Sequence, residues 1–312
     1  MTPSFHTVAG RLTPAAPFDF AQTLRFAEDF TPARGEQRVA ENTLTKAIKV
    51  AGRPIGFHIT SVGTVDAPAL DYTLYDARPF TPALIAASED RLRFYLSLDD
   101  NLTPFYKIAR DDPALAPVIE RRYGLHQIKF PTPFENAAWA ILTQRTPIPV
   151  ARVVKDRLTQ RYGGSIQVKI RVAGQGTDET EGETLWAFPD APSLTAADPD
   201  ELAGLIRNER KAAYLTAASQ AFADVDEQWL RTGDYDEVEA WLRAIPGVGA
   251  WSAGFILIRG LGRVERVTPN EPLLEAAARA YGEPITPARF KELAARYGDT
   301  AGYWAFYLRT GA

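Results

Sequence analysis

Apolar and polar residues alternate in two stretches of the first hundred residues, with glycine and proline between them. The stretches are "RPIGFHITSVG" (53–63) and "ALDYTLYDA" (69–77). A period of two is typical of strands with one buried face. The next stretch, "SEDRLRFYLSL" (88–98), places its apolar residues at helical spacing instead. The pattern predicts a small α+β domain over 1–100.

Beyond residue 100 the apolar spacing is mainly helical, and three helix starts pair a capping residue with proline. They are Thr132-Pro133, Asp198-Pro199 and Thr286-Pro287. The capping oxygen accepts a first-turn amide, and proline tolerates the first helical position because its missing N–H would be unpaired there. The patterns predict helices over 133–144, 200–222 and 288–298.

A β-hairpin is predicted within this helical part. The stretch "GGSIQVKIRVAGQGTDETEGETLWAFP" has strand-like flanks and a glycine- and acid-rich tip, which we expect to be a mobile loop. The predicted fold class is α+β. The predicted domains are 1–100, a helical domain over 101–240 with the hairpin inserted at about 163–190, and a helical region over 241–312.

Glycine and proline interrupt the helical periodicity of "LRAIPGVGAWSAGFILIRGLG" (242–262). The interruption predicts two helices joined by a Pro-Gly-Val-Gly turn, with Gly247 and Gly249 bringing the backbone close to a ligand. Amides that open the second helix are unpaired and lie at the positive end of its dipole. The turn could hold a DNA phosphate through backbone N–H groups, although a plain helical hairpin has the same pattern.

Composition excludes several kinds of chemistry. The chain has no cysteine, which removes disulfides, thiolate nucleophiles and iron–sulfur clusters. Its three histidines, His6, His58 and His126, are scattered, and each is expected to be a surface or core polar residue. No apolar run is long enough to span a bilayer, and the start lacks the order of a signal peptide. We expect a cytoplasmic protein that associates with the nucleoid only through DNA.

Charge is segregated along the chain although the net charge is only −4. Residues 106–172 carry twelve Lys and Arg against five Asp and Glu, and residues 242–266 carry four against one. Residues 173–241 carry four against sixteen. If the two basic segments adjoin in space, an acidic chain presents a basic face. The alternative is that these charges only solvate helix surfaces.

The stretch "LRAIPGVGAWSA", followed by a Pro-x-acidic sequence at 269–271, resembles the helix–hairpin–helix DNA glycosylase superfamily. Within it the chain looks most like the 3-methyladenine DNA glycosylase II branch. The stretches 17–26, 112–144 and 208–215 also look like that branch, so the resemblance covers nearly the whole chain. It implies an α+β domain packed on two helical domains. A cleft between the two helical domains would hold a nucleotide rotated out of the duplex.

The resemblance also implies contacts made by the turn. Backbone amides would bind a DNA phosphate, at Gly247, Gly249 and Ser252. Backbone carbonyls would hold a monovalent cation that bridges to the phosphate, at Arg243, Ile245 and Val248. No organic cofactor is implied. The expected partner is double-stranded DNA with damaged bases, bound by a monomer.

Three aromatic residues match the base pocket of this branch: Trp251, Phe255 and Phe26. Bifunctional relatives carry lysine at the position of Trp251, and an indole cannot form a Schiff base. The resemblance therefore implies a monofunctional enzyme without lyase activity, with Trp251 stacking on the flipped base. An alternative for Phe255 and Phe26 is the hydrophobic core.

The catalytic aspartate of the branch corresponds to Glu271 here, with Asn270 before it and Pro272 after it. Because proline favours the first helical position, Glu271 is expected at the N-cap. A carboxylate near the anomeric carbon would stabilise positive charge in the transition state, but glutamate is one methylene longer than aspartate. The alternative is a helix-terminus acid favoured by the dipole.

The wedge that fills the gap left by a flipped nucleotide corresponds to Gln144 and Arg145. Arginine could stack in the gap or contact a phosphate. The function implied is a monofunctional glycosylase that hydrolyses alkylated purines of the 3-methyladenine and 7-methylguanine type. The alternatives are a damaged-DNA binding protein with weak or lost catalysis, motivated by Glu271, and a glycosylase for oxidised or deaminated bases.

Overall fold

The computed structural model describes residues 6–40, 42–171 and 180–311. Its strands form one sheet of five and one of two. The first sheet contains β1 (His6–Leu12), β2 (Gln37–Ala40), β3 (Thr43–Val50), β4 (Arg53–Ser61) and β5 (Leu70–Asp76). The second contains β6 (Gly164–Arg171) and β7 (Thr180–Ala187).

The described helices account for most of the remaining chain. They are α1 (Phe20–Asp29), α2 (Pro82–Leu96), α3 (Thr103–Arg110), α4 (Ala116–Arg122), α5 (Pro133–Thr143), α6 (Ile148–Tyr162), α7 (Ala191–Thr195), α8 (Pro199–Ile206), α9 (Glu209–Asp224), α10 (Glu227–Thr232), α11 (Tyr235–Ala244), α12 (Ala250–Leu261), α13 (Glu271–Tyr281), α14 (Pro287–Ala295) and α15 (Ala301–Gly311). The small antiparallel sheet and the helical body confirm the predicted α+β class.

The five-stranded sheet is antiparallel, in the order β1-β5-β4-β3-β2. Its two inner predicted strands are confirmed as β4 and β5, paired with Phe57 opposite Leu74. One face of the sheet packs on α1 and α2 around fully buried side chains such as Leu44, Ile59 and Tyr95.

The inserted hairpin is confirmed as β6 and β7, and it covers the other face of the sheet. Ile166 and Leu185 of the hairpin share a buried cluster with Ala47 and Tyr75 of the sheet. An insertion in the helical part therefore stabilises the N-terminal domain. The tip predicted to be mobile, at 172–179, lies outside the described residues.

Local capping signals predicted the helix starts well. Thr132, Asp198 and Thr286 each accept a hydrogen bond from the amide three residues later. The predicted continuous helix over 200–222 is wrong, because the chain breaks between α8 and α9. Arg207 adopts a left-handed conformation with φ of 55°, and Asn208 caps α9.

The helices share two cores that do not follow chain order. One core joins α5, α6 and α9 to the α11–α12 pair, and the other joins α3 and α4 to α13, α14 and α15. The cleft between these cores holds the candidate site. The predicted boundaries at residues 100 and 240 stay predictions, because these cores describe packing rather than domains.

Within the described ranges, no helix combines the length and apolar character needed to cross a bilayer. His6 is exposed, and His58 contacts the Thr45 hydroxyl. His126 is buried against backbone carbonyls. These placements agree with the expected polar roles.

Candidate active site

The turn between α11 and α12 runs from Ile245 to Gly249. Ile245 and Val248 are buried and anchor it, and the Val248 amide donates to the Ile245 carbonyl over 3.0 Å. Helix α12 then begins at Ala250, and Gly249 is its N-cap. The first amides of α12 have no intrahelical acceptor, since the hydrogen-bond ladder begins with the Ala253 amide donating to the Gly249 carbonyl. The predicted helix–hairpin–helix geometry is present.

The two glycines of the turn have different structural reasons. Gly247 has a φ of 87°, and a Cβ there would lie 2.4 Å from Cδ2 of Tyr214. Gly249 has an ordinary φ of −84°, and a Cβ there would have no atom within 4 Å. Gly247 is therefore required by the fold, whereas Gly249 leaves open space at the exposed helix N-terminus. Ser252, in the first turn of α12, is buried.

The predicted wedge residues lie at the end of α5, beside this turn. The Gln144 side-chain amide donates to the Gly247 carbonyl over 2.6 Å. Arg145 is exposed and adopts a left-handed conformation with φ of 49°. Lys211 of α9 donates to the Leu142 carbonyl over 2.6 Å and to the Thr146 hydroxyl. Gln144 and Lys211 therefore fix the loop that presents Arg145.

The carbonyls predicted to hold a monovalent cation fit that role by chemistry. Arg243 lies in the last turn of α11, where carbonyls lack intrahelical donors. The Ile245 carbonyl accepts from Val248 but keeps a second lone pair. Backbone carbonyls are suitable ligands for such cations. Among the residues described, no group of three His, Asp or Glu side chains is placed to hold a metal ion.

A cavity of about 420 Å³ lies between α12, α15 and the N-terminal domain. This volume suits a small organic ligand. Six aromatic rings line it, contributed by Phe26, Phe30, Tyr235, Trp251, Phe255 and Phe306. All three predicted base-pocket residues are among them, so the structure brings Phe26 of α1 to the residues of α12.

Trp251 is the most exposed of the aromatic residues that line this cavity. It is 58% exposed, and its ring stacks on Phe255 with centroids 5.4 Å apart and planes at 15°. Phe255 in turn packs edge-on against Phe130, at 5.8 Å. A rigid aromatic pair therefore presents one open indole face at the mouth of the cavity.

The predicted N-cap of α13 is wrong. The cap is Asn270, whose side-chain oxygen accepts the Leu273 amide over 3.1 Å, and Glu271 is the first helical residue. Pro272 tolerates the second position equally well. Asn270 lines the cavity in the described part of the chain, while Glu271 is exposed and lies outside the wall. The sequence assigned both the N-cap and a position facing the site to Glu271. In the structure Asn270 takes the cap and lines the cavity, and Glu271 carries the carboxylate outside the wall.

The cavity wall also contains a half-buried cation, Arg259 of α12. Its guanidinium carbon lies 4.6 Å from the Phe30 ring centroid and 5.3 Å from that of Phe26. Its Nε and Nη2 atoms are inaccessible and have no hydrogen-bond acceptor. Burial, reinforced by the neighbouring Arg309, lowers the pKa of Arg259 to about 9, so it stays charged at neutral pH.

Comparison with known proteins agrees with this geometry. No protein-family model matches the chain. The DNA-3-methyladenine glycosylase of Bacillus subtilis is 28% identical over 169 residues, which are 54% of this chain and 52% of that protein. A Mycobacterium tuberculosis protein named "Probable bifunctional transcriptional activator/DNA repair enzyme AlkA" is 26% identical over 99% of this chain and 58% of its own length.

Among solved structures, the 3-methyladenine DNA-glycosylase of Archaeoglobus fulgidus has a TM-score of 0.76 at 20% identity, covering 96% of this chain and 97% of that one. The chain is similar in sequence and fold to DNA glycosylases of the helix–hairpin–helix superfamily. Its similarity is to the 3-methyladenine DNA glycosylase II branch. The chain spans about half the length of the curated relatives that it matches.

Sequence reasoning missed four charged residues of the cavity: Asp29, Arg259, Arg266 and Arg309. Charged residues are rarely buried without a partner. The single arginine in the otherwise apolar stretch "AWSAGFILIRG" of α12 could therefore have been recognised as unusual. Asp29 ends α1 and carries no comparable signal. Only the packing of α1 against the helical body brings its carboxylate to the wall.

Proposed function

We propose that the protein is a monofunctional DNA glycosylase that hydrolyses the N-glycosidic bond of alkylated purines. The observation that carries the proposal is the stacked Trp251–Phe255 pair, open at the mouth of an aromatic cavity beside the hairpin turn. An exposed indole at this place has no packing explanation. It suits a base rotated out of the duplex, whose glycosidic bond is unreachable within the stack.

Binding to double-stranded DNA would begin at the turn, with one protein monomer on each lesion. The amides of Gly247, Gly249 and Ser252 would hold a phosphate by shape and charge, without reading the base. The carbonyls at Arg243, Ile245 and Val248 would hold a monovalent cation that neutralises the same phosphate. No organic cofactor is required.

The wedge loop would stabilise the flipped state. Arg145 is presented outwards by a loop that Gln144 ties to the Gly247 carbonyl. Its planar guanidinium can stack in the gap and donate to the orphaned partner base. Because Gln144 joins the wedge to the phosphate-binding turn, both would be positioned together.

Hydrolysis needs water and a carboxylate. The water oxygen would attack the anomeric carbon as the bond to the base nitrogen breaks, and the bonding pair leaves with the base. A purine alkylated on a ring nitrogen is already cationic, so it departs neutral without added protonation. We assign Glu271 to stabilise the developing oxocarbenium charge and to accept the proton lost by water. Its neighbour Asn270 lines the cavity, which supports this position.

Single-turnover excision from DNA containing 7-methylguanine tests this assignment. Glu271→Gln is expected to lower the rate on the order of 100-fold, because the electrostatic stabilisation is lost while the shape is kept. Asp29→Asn is the matched control, since it removes the carboxylate that does line the cavity. A large loss in the Asp29 variant alone would transfer the role to Asp29. Full activity in both would refute carboxylate catalysis.

The same assay separates the enzyme from a damaged-DNA binding protein. That alternative is favoured by the exposure of Glu271 outside the cavity wall. Tight binding of methylated DNA with no base released by wild-type protein would establish it. If excision occurs, borohydride should trap no covalent protein–DNA adduct, because an indole at position 251 has no amine to attack the sugar.

A further inference from the structure

The wedge loop after α5 is held from one side by a lysine of α9. The Lys211 ammonium donates to the Leu142 carbonyl over 2.6 Å and to the Thr146 hydroxyl. That hydroxyl donates in turn to the Gln144 carbonyl over 3.1 Å. Lys211 is half-buried and contacts the chain on both sides of Arg145, which is exposed. Its contacts therefore fix the backbone of the loop without covering the arginine side chain.

The backbone of Arg145 needs such support. Its φ of 49° lies in the left-handed region, which is unfavourable for a residue with a Cβ. Strained conformations of this kind persist only where surrounding contacts determine them, and they are typical of functional sites. The two oxygens that Lys211 binds are uncharged, so these contacts do not serve to neutralise a carboxylate. They serve to hold the loop.

Helix α9 also contacts the turn between α11 and α12. Tyr214 lies three residues after Lys211, so the two side chains share a face of the helix. The tyrosine ring packs so closely on Gly247 that a Cβ there would lie 2.4 Å from Cδ2. The carbonyl of the same glycine accepts the Gln144 side-chain amide over 2.6 Å. One face of α9 therefore positions both the wedge loop and the turn proposed to bind a phosphate.

We propose that Lys211 is a positioning residue for nucleotide flipping, which holds Arg145 where it fills the gap left by the flipped nucleotide. The inference rests on the proposed glycosylase function and extends it to a residue outside the described cavity wall. A loop that is fixed in advance loses less entropy when it enters the duplex. Lys211 acts on the equilibrium between stacked and flipped nucleotide, and the attack by water does not depend on it.

The test measures flipping by the fluorescence of 2-aminopurine, which rises when the base beside it, here 7-methylguanine, leaves the stack. Lys211→Met is expected to lower the flipping equilibrium constant and the single-turnover excision rate on the order of 10-fold, the worth of one hydrogen bond to a charged group. Binding of undamaged duplex should stay at the wild-type level. Lys49→Met is the matched control, because Lys49 is a half-buried lysine that donates to Asp190 over 3.1 Å and to the Ser193 hydroxyl, outside the wedge loop.

A double-mutant cycle tests whether Lys211 acts through the wedge. In an Arg145→Ala background, Lys211→Met should cause no further loss of flipping or excision, since the side chain that it positions is gone. Thr146→Val is measured in parallel, because loss of Lys211 can impair folding. It removes only the hydroxyl between Lys211 and the Gln144 carbonyl, and it should lower flipping in the same direction.

Three outcomes would overturn the inference. Losses that multiply in the double variant would make Lys211 a structural residue. Slower excision with unchanged fluorescence would place its effect after flipping. Wild-type flipping in both Lys211→Met and Thr146→Val would exclude any effect on the wedge. Excision of 7-methylguanine by none of these proteins, wild type included, refutes the proposed function instead.

Discussion

Trp251 is a large aromatic side chain that folding leaves mostly in solvent. An exposed indole lacks the favourable free energy that burial normally gives to an aromatic side chain. Its stacking on Phe255 and the packing of Phe255 on Phe130 hold the ring in one orientation without covering its outer face. The residue is therefore preorganised for stacking, and its removal should affect a ligand more than the fold.

We predict that Trp251→Ala lowers single-turnover excision by about 5- to 150-fold, since stacking on one base is worth about 1–3 kcal/mol. The thermal unfolding midpoint should change little, because the side chain is exposed. Trp186→Ala is the control. Trp186 is also an exposed indole, but it lies on β7 outside the cavity wall, so its loss should leave excision intact. Equal effects of the two substitutions would contradict the platform role.

At the scale of elements, the α11–turn–α12 unit combines one glycine that the fold requires with one that a ligand would require. The close approach of Tyr214 and the positive φ both exclude a side chain at Gly247. At Gly249 the space around a Cβ is open, so a side chain is not excluded there. The two positions are two residues apart, so they can be compared in the same background.

Gly247→Ala is expected to destabilise the protein by about 2–4 kcal/mol, because it adds backbone strain and a clash. Gly249→Ala should cost no more than about 1 kcal/mol, the difference between glycine and alanine at an N-cap. It should nevertheless weaken DNA binding, since its methyl group would lie where a phosphate approaches. Denaturant unfolding and DNA titration measure the two effects. Unimpaired DNA binding by Gly249→Ala would argue against a phosphate at the turn.

At the scale of the whole molecule, a buried set of four charges joins the sheet to the helical body. Glu36 accepts from Lys46 of β3 over 3.0 Å and from Lys155 of α6 over 2.5 Å. Lys155 also donates to Glu135 of α5 over 2.8 Å. Burial alone would raise the pKa of Glu36, but the two ammonium groups outweigh it and hold the pKa below its usual range.

The direction of this pKa change sets the pH dependence. The stabilisation by Glu36 is complete above the ordinary glutamate pKa near 4.5 and is lost as the pH falls through the lower folded value. Glu36→Gln should cost about 3–5 kcal/mol at pH 7, because it leaves buried ammonium charge unpaired. The difference from wild type should shrink in acid below about pH 4.5.

Urea unfolding at pH 7 and at pH 3.5 checks this prediction, with Asp71→Asn as control. Asp71 pairs with Arg11 on the exposed edge of the sheet, where an ion pair contributes at most about 1 kcal/mol. Similar losses of unfolding free energy in the two variants at pH 7 would rule out a role of these four charges in joining the sheet to the helices. So would a difference between Glu36→Gln and wild type that persists in acid.

Charge segregation also becomes meaningful only at this scale. Helix α5, from the first basic segment, packs against α12, from the second. Arg145 and Arg243 are both exposed. The intervening acidic segment contributes helices α8 to α11. A chain with a net charge of −4 can therefore present basic residues on the side that carries the turn.

The sequence by itself determined the features that depend on neighbours within a few residues. Cap oxygens at Thr132, Asp198 and Thr286 reach amides three residues away, so these helix starts follow from local chemistry alone. The period-two strands and the Pro-Gly-Val-Gly turn are equally local. The aromatic pair Trp251–Phe255 is local as well, because the two residues are one helical turn apart on α12.

Tertiary structure decided what depends on the direction in which an element faces. The apolar spacing continues across the left-handed break at Arg207, so periodicity alone hides it, and the cap residue Asn208 is the local signal that marks it. Asn270 and Glu271 are adjacent, yet the orientation of α13 brings only Asn270 to the cavity. The packing of Arg259 against the rings of Phe26 and Phe30 joins residues more than two hundred positions apart. Such pairings follow from the energy of the whole packed core, which a short stretch of sequence does not contain.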